Sequence, residues 1–594
     1  MQTIEKKSKK DSILLATTSL ERTWGRDEKI LFLGEWCKLY HQKNIWKGRN
    51  AQTLKDPWSN RDRRFNAHNY VDKVYKKAMS ALSNALNQKH NLNYPERYWL
   101  ILCGPWLRLF INTTYFYWEC LSDLNDMNKD FETIEIKQNK INQVPIDMQA
   151  FEQMMVSDRW VHYIITLVIK SHECNIHSRI ISQEKNEKTP IEKTGRQKIR
   201  LKSLLLEKVF KVAGYLFNKH DSVLLLNTYL TKIQTLKLGF NIRSLPSFSL
   251  RSRILKKYNF DNHFRKKLNP TENISSGYEA FLYNNLLKNI PFMYVEGFED
   301  LNQSSNAMQW PELPLSIVTA SDHWSNDIFK CYSANKFLSG SKLNILCHGG
   351  GGKYKYSDFQ MMELDLCDNY FTWGWSEYSS KCTKGFFIKD IGYKRNTNRN
   401  EKHLLHIILS QYRFVKFLDA HPTYEQYIGG YLEDQFLFNN KLDVNIKSKT
   451  ITKLSYDYEN SLESRFNNRC SNINFSRQGD DYNKLLKEAK IVIATYNCTT
   501  PVESIAMNIP TIIFWDERHW ELAPSAIPFF DKLRKCGVFH SSPESAAIMA
   551  NKIWSDVDTW WQQEDVQEAC SEFRAWFARE SKNPIKELSE FCIL

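Results

Sequence analysis

No two cysteines in this 594-residue chain form a CxxC pair, and no Cys/His group has the spacing of a zinc site. The 13 cysteines are scattered from Cys37 to Cys592, a pattern that predicts buried, reduced thiols in the cytosol. Met1 to Lys10 carries four lysines and no apolar stretch follows it, so no secretory signal is expected. No apolar run has membrane-spanning length. The longest, Tyr98 to Trp118, is broken by Gly104-Pro105, Arg108 and Asn112-Thr113-Thr114. HExxH, GxSxG and Walker motifs are missing, as is a GxGxxG opening a helix. There is no RNA-recognition signature, which argues against nucleic acid as a partner. Acidic residues stand apart, so no metal is expected, and no cofactor.

What is present describes a large folded protein. The length is too great for one hydrophobic core. Apolar residues at 42% and charged residues at 25% are ordinary for a folded soluble chain and exclude disorder. The 13% aromatic content can fill cores and still line a cleft. A net charge of +14 favours anionic partners: nucleotide phosphates, an acidic glycan, nucleic acid or an anionic membrane face.

Short apolar runs at Ile13 to Ala16 and Ile30 to Leu33 end at polar or glycine residues, as buried parallel strands opening onto a cleft do. Amphipathic spacing from Tyr70 (Val74, Ala78, Ala81, Leu82, Ala85, Leu86) predicts a helix; Arg97 to Leu121 and Val161 to Ile169 predict more buried ones. Residues 182–202 read as an exposed insertion or linker. The basic run Arg251 to Lys267 reads as a solvated face or as a patch for anionic lipid or acidic glycan. After Pro311 and Pro314, apolar runs recur at 315–320, 343–347, 370–373, 404–409, 491–494 and 510–514, several separated by helical patterns. The expectation is an α/β protein of two Rossmann-like, doubly wound lobes with a helix-rich N-terminal half. Its parts are 1–310 on the acceptor side, 311–565 binding nucleotide, and 566–594, a helix crossing back to the first lobe.

The stretch 480–515 carries the most chemistry. A helix (Tyr482 to Lys487), a strand (Ile491 to Ala494), the polar turn Thr495 to Thr500, and a helix entered through Pro501 put free backbone N–H groups at a helix N-terminus. Such an end binds phosphate. Thr499 and Thr500 line it, and Glu503, one turn in, can accept from a ribose diol; the plainer roles are an N-cap for Thr499 and a dipole partner for Glu503. After the strand 343–347 comes His348-Gly349-Gly350-Gly351-Gly352-Lys353, whose glycines admit close ligand approach beside two cationic or donor groups. His421-Pro422 follows an expected strand end at Phe414 to Leu418. In the first half, Glu21 and Glu35 stand past strand ends, where a carboxylate could take a proton from a hydroxyl; Gly34 favours Glu35, and a salt bridge to Arg22, Arg26 or Lys38 is the plainer role. Arg61, Arg63 and Arg64 could hold an acidic acceptor, and Trp106 could stack on a sugar.

The stretch resembles the nucleotide-binding half of GT-B glycosyltransferases, which implies donor phosphates at the turn and a ribose on Glu503. The motif order over nearly the whole chain resembles one bacterial family of transferases from surface-polysaccharide gene clusters. The matching pieces are LATTSLERTW (15–24), LFLGEWC (31–37), DPWSNR (56–61), ERYWLILCGPWL (96–107), NILCHGGGGKY (344–354), YFTWGW (370–375) and TTPVESIAMNIPTIIFW (499–515). Gly351-Gly352-Lys353 replaces a Tyr-Gly pair of that family. The His-Pro pair is similar to one contacting donor phosphate in transferases of CMP-activated acidic sugars. The resemblance implies a glycosyltransferase moving a sugar from a nucleotide-activated donor to a cell-surface polysaccharide or lipid-linked glycan, in the cytoplasm or peripheral at the inner membrane face, with an anionic membrane surface as a further partner. Expected catalytic residues are Glu35 and His348; expected binding residues are Gly349, Gly350, Lys353, His421, Thr499, Thr500 and Glu503. Two other readings remain: a CDP-polyol phosphotransferase of the teichoic-acid type, which shares a His-Gly loop, and a non-catalytic glycan-binding scaffold.

Overall fold

The computed structural model describes residues 12–127, 129–137, 140–182, 222–244, 256–266, 268, 276–308, 310–349, 361–376, 379–391, 402–414, 421–454, 456–477 and 479–594. Residues 183–202 of the expected insertion, Arg251, Arg253 and Lys267 of the basic run, and Gly350 to Lys353 lie outside them.

Among the described residues sixteen strands form three sheets, every pairing parallel. The first sheet holds β1 (Ile13–Ala16), β2 (Ile30–Phe32), β3 (Ala51–Thr53), β4 (Phe131–Ile136) and β5 (Ile176–Ile181) in the order β3-β2-β1-β4-β5. The second holds β6 (Val223–Leu226), β7 (Ser316–Thr319), β8 (Lys342–Leu346), β9 (Asn369–Phe371) and β10 (Cys382–Thr383) in sequential order. The third holds β11 (His403–Ile408), β12 (Thr450–Leu454), β13 (Asn474–Phe475), β14 (Ala489–Ala494), β15 (Thr511–Phe514) and β16 (Phe539–His540) in the order β13-β12-β11-β14-β15-β16. The strand order reverses between β1 and β4 and between β11 and β14, which leaves a crevice at the carboxyl end of each pair.

The α/β class with parallel sheets is as expected; the division into parts is not. The cut near residue 310 falls between β6 and β7, which pair from Val223↔Ser316 to Leu226↔Thr319. Pro311 and Pro314 lead into β7 instead of ending a domain. Eight strands (β3 to β6, β10, β12, β13 and β16) are not marked by the apolar runs: β3 and β5 are half-polar, β4 alternates, and β10, β13 and β16 have two residues each. The long helices Arg61–His90 and Glu96–Asn125 are as the apolar spacing predicts, but longer. Asn60 caps the first by accepting from the Arg63 N–H, and Asn91, left-handed at φ 54°, ends it. Gly104-Pro105 lies inside the second and does not end it. Among the described residues no helix is long and apolar enough to cross a membrane, and all 13 cysteines are free.

The expected helix over 566–591 is two, Glu564–Phe577 and Pro584–Cys592. The first packs on the third sheet's helices through Phe573 and Phe530, ring centroids 5.6 Å apart. The second lies on the second sheet, where Leu588, Phe591 and Cys592 join Val223, Val318, Leu346 and Phe371 in one buried cluster. Between them Arg579 is bound to the second sheet's loops: its N–H donates to the Trp373 carbonyl (2.7 Å), and its carbonyl accepts from Phe387 (2.9 Å).

Truncating a buried ring in this crossing helix leaves a cavity in the second sheet's core. Phe591→Ala is therefore expected to cost about 3–5 kcal/mol, read as a fall in the urea midpoint of the transition that exposes this core.

Candidate active site

Two seams meet the carboxyl ends of the third sheet's strands. The first sheet faces one. Here Arg413, in the loop after β11, is 2% exposed and crosses the seam. It donates to the Trp36 carbonyl (2.9 Å) and pairs with Asp158 (2.7 Å) and with Glu459. Burial works against its charge, but the two carboxylates outweigh that and hold its pKa above the ordinary guanidinium value. Asp158 in turn accepts from the N–H and hydroxyl of Ser19 past β1, both at 2.7 Å. Beside this hub lies a cavity of about 270 Å³ lined by Asp56, Trp58, Arg64, residues 409–412, residues 421–424 and Tyr458. Within it the rings of Tyr412 and Tyr458 lie 3.7 Å apart.

His421 belongs to this seam. Its carbonyl accepts from Arg64 (2.7 Å), and its ring stands edge-on to Trp520 at 5.0 Å. The expected strand Phe414 to Leu418 before it does not start as one, since Phe414 is in the loop; 415–418 lie outside the described residues. Glu35 sits in a single 3-10 turn after β2, paired with Lys38 at 2.5 Å, the structural role named for it from sequence. Glu21 is exposed in another such turn.

Three further expectations are corrected. Arg61 and Arg64 pair with Glu521, and Arg63 pairs with Glu119 and Asp123, so their charges are already engaged within the protein. Trp106 is fully buried, stacked on Phe110 at 5.3 Å, and cannot meet a sugar. In the basic run, Arg265 is buried against Glu296 (2.6 Å) and donates to the Leu287 and Ile290 carbonyls, while Lys256 pairs with Asp300; the run is not one open patch.

The second sheet faces the other seam. Helix Thr499–Ala506 begins right after the β14 turn with Thr499, Thr500 and Pro501 as its first three residues. Its cap is Cys498, not Thr499, and Cys498 makes no side-chain capping bond, so no side chain of the cap covers the first-turn N–H groups. Thr495 ties this turn to the switch point, donating to the Ile407 carbonyl (2.8 Å) and bonding the Tyr431 hydroxyl (2.7 Å). Gly349 approaches so closely that a Cβ there would stand 3.1 Å from Thr499 Oγ1. Glu503 Oε1 accepts from Lys389 Nζ (2.8 Å), Glu503 Oε2 from the Tyr482 hydroxyl (3.3 Å), and Thr500 Oγ1 bonds the Tyr496 hydroxyl (2.8 Å). Lys389 comes from the second sheet, so this ion pair spans the seam.

Behind Gly349 lies an acid–histidine cluster that sequence reading missed. Glu363 is fully buried. Its Oε1 accepts from His323 Nε2 (3.0 Å) and Trp324 Nε1 (3.2 Å) and lies 3.3 Å from His348 Nδ1; its Oε2 accepts from the Tyr370 hydroxyl (2.9 Å). Burial would raise the Glu363 pKa, but His348, His323 and Tyr370 outweigh it and keep the carboxyl ionised. His348 keeps 26% of its side chain open. Burial pushes its pKa below the ordinary histidine value although Glu363 pulls the other way, so near neutral pH the ring is an unprotonated base beside a carboxylate, its Nδ1 without a hydrogen bond. The carboxylate oxygen itself fills the centre of the cluster, and among the described residues no group of His, Cys, Asp or Glu is arranged to hold a metal. Glu363 stands in MMELDL, which no motif marks, and Lys389 is one lysine among many. The structure thus brings His348, Gly349, Thr499, Thr500 and Glu503 to one seam and places Glu35 and His421 at the other.

A family model described as LIC12162 family transferase matches residues 13–591, and the chain belongs to that family. No curated protein sequence matches the chain. Among solved structures, MurG of Acinetobacter baumannii aligns at 10% identity and TM-score 0.30, over 62% of this chain and 99% of its own. Anabaena HepE, in complex with UDP and glucose, aligns at 10% and 0.34, over 62% and 98%. The Thermobaculum terrenum O-GlcNAc transferase aligns at 7% and 0.30, over 88% and 97%.

The direction of the His348 shift is measurable without a substrate. Diethyl pyrocarbonate acylates only the unprotonated ring, so its rate at His348, resolved by peptide mass spectrometry, is expected to titrate below about 6.5. In Glu363→Gln the carboxylate that raises the pKa is gone, and the midpoint should move lower still. A midpoint at or above the free-histidine value would remove the prepared base.

Proposed function

We propose that this transferase moves a sugar from a nucleotide-activated donor to a hydroxyl of a surface polysaccharide or lipid-linked glycan, at the cytoplasmic membrane face. The observation that carries the reading is the meeting of two half-sites across one seam: the His348–Glu363 pair on the second sheet and the helix N-terminus at Thr499 on the third, in contact through Gly349.

The roles follow from chemistry. A donor phosphate sits on the first-turn N–H groups, where the helix dipole favours negative charge. Thr499 and Thr500 hydroxyls add donors. Glu503 receives the ribose diol; each carboxylate oxygen has a second lone pair beyond the one used by Lys389 or Tyr482. Lys389 sits where it can share its charge with the phosphate. His348 takes the proton from the acceptor hydroxyl as oxygen attacks the anomeric carbon, and Glu363 stabilises the imidazolium that forms. The nucleotide leaves with the bond electrons, its charge held by the helix end. Glu35 has no role in this scheme, because Lys38 holds it at the other seam.

Thermal-shift screening with CMP, CDP, UDP and GDP identifies the donor base: a ligand at about 100 times its Kd stabilises by ~2.7 kcal/mol. For the nucleotide that binds, Glu503→Ala is expected to lose about 1.5–3 kcal/mol of affinity by calorimetry, the range of hydrogen bonds to a charged group, with an unchanged melting temperature of the free protein. Equal affinity in variant and parent would leave Glu503 as a partner of Lys389 and the helix dipole alone.

A further inference from the structure

Helix Lys232–Asn241 follows β6 and covers the second sheet beside the crossing helix Pro584–Cys592. Its inward side is ordinary: Leu238 is buried in the sheet's apolar cluster, with Ile242 against it. Its outward side is not. Ile233, Leu236 and Phe240 are 67%, 37% and 79% exposed. They recur at i, i+3 and i+7, and at about 3.6 residues per turn their directions fall within about 60° of one another. Lys232 and Lys237, both exposed, flank this strip on its two sides, and Arg243 follows past the helix end. An apolar strip edged by lysines is the pattern of a helix lying in the plane of an anionic bilayer surface: the strip enters the acyl boundary and the lysines reach the headgroups.

The apolar surface continues beyond the helix. The Ser244 hydroxyl donates to the Val223 carbonyl at the start of β6 (2.5 Å), which puts Phe240 toward the amino end of the sheet. Leu313 and Leu315 are exposed at that same end, where Leu315 donates to Ser222 (2.9 Å) and its carbonyl accepts from Lys342 (3.1 Å). Ile593 and Leu594 are exposed there too, the Leu594 carbonyl accepting from Lys342 Nζ. Five of the exposed large apolar side chains therefore gather around one end of the sheet, and Ile233 and Leu236 extend the surface along the helix.

We infer that this face docks the protein on an anionic membrane surface. The net charge of +14 has the matching sign. The helix also runs away from the catalytic seam: Tyr229, just before it, stacks over the His348 ring at 6.5 Å and lies under Lys389. The strip therefore reaches from the amino end of the sheet back toward the seam, and a lipid-linked acceptor presented at the bilayer would enter past Tyr229. Only this last placement rests on the proposed transfer reaction; docking itself does not.

The test is co-sedimentation of the full chain with vesicles of phosphatidylcholine carrying phosphatidylglycerol and with vesicles of phosphatidylcholine alone. The parent is expected to bind the anionic vesicles, less well in high salt. Ile233→Ser combined with Phe240→Ser should lower partitioning about tenfold with an unchanged melting temperature, since both side chains are exposed. Lys232→Gln with Lys237→Gln should flatten the dependence on phosphatidylglycerol. Undiminished binding by the double serine variant overturns the assignment of this face. So does a parent that ignores vesicles but forms a concentration-dependent dimer lost in Phe240→Ser, in which case a second copy covers the strip. Loss of vesicle binding with nucleotide binding intact separates this inference from the transferase reading.

Discussion

A single buried guanidinium sets how the carboxyl ends of the first and third sheets meet. Arg413 leaves β11 at the third sheet's switch point and ends among Asp158, Glu459 and the Trp36 carbonyl on and beside the first sheet. A cation this deeply desolvated is tolerable only when its partners are all in place, so the contact admits one docking geometry and penalises its neighbours. Asp158 extends that geometry to Ser19. The loops between the two sheets, and the cavity among them, inherit their positions from this one charge.

The other seam is built differently. Between the second and third sheets the contacts described are an exposed-edge ion pair, Lys389–Glu503, and a backbone approach at Gly349. Both involve groups that a ligand could also use. One seam is therefore closed by a buried charge that water cannot replace, and the other by groups that an anion can compete for. The second kind leaves a substrate free to enter and leave, as the proposed transfer requires.

How much of this was legible in the sequence depends on the range of the interaction. Residues 482–515 were readable nearly residue by residue, because a helix, a buried strand, a hydroxyl turn and a proline at a helix start are local events. His348 at the end of β8 was readable for the same reason. Glu363 was not: its importance comes from His323, Trp324, His348 and Tyr370 converging on it, and nothing within its own helix announces burial. At Glu35 the sequence offers two local partners, Gly34 before it and Lys38 three residues on, and the structure pairs it with Lys38. The missing boundary at 310 is non-local in the way Glu363 is. VLLL at β6 is too short to be told from other apolar fragments until its partner, some ninety residues later, is laid beside it.

The crossing at Ala578–Asn583 has a mechanical consequence. The chain passes from the second sheet to the third once between Ile391 and Lys402 and returns once after Phe577. The return crossing is the short one, Ala578 to Asn583, and it limits how far the two sheets can separate. The return strand is also fastened, since Arg579 is hydrogen-bonded on both sides of its peptide to the loops at Trp373 and Phe387. Fixed at that crossing, the second and third sheets can part no further than its few residues reach, which keeps His348 and Thr499 on facing sides of one seam.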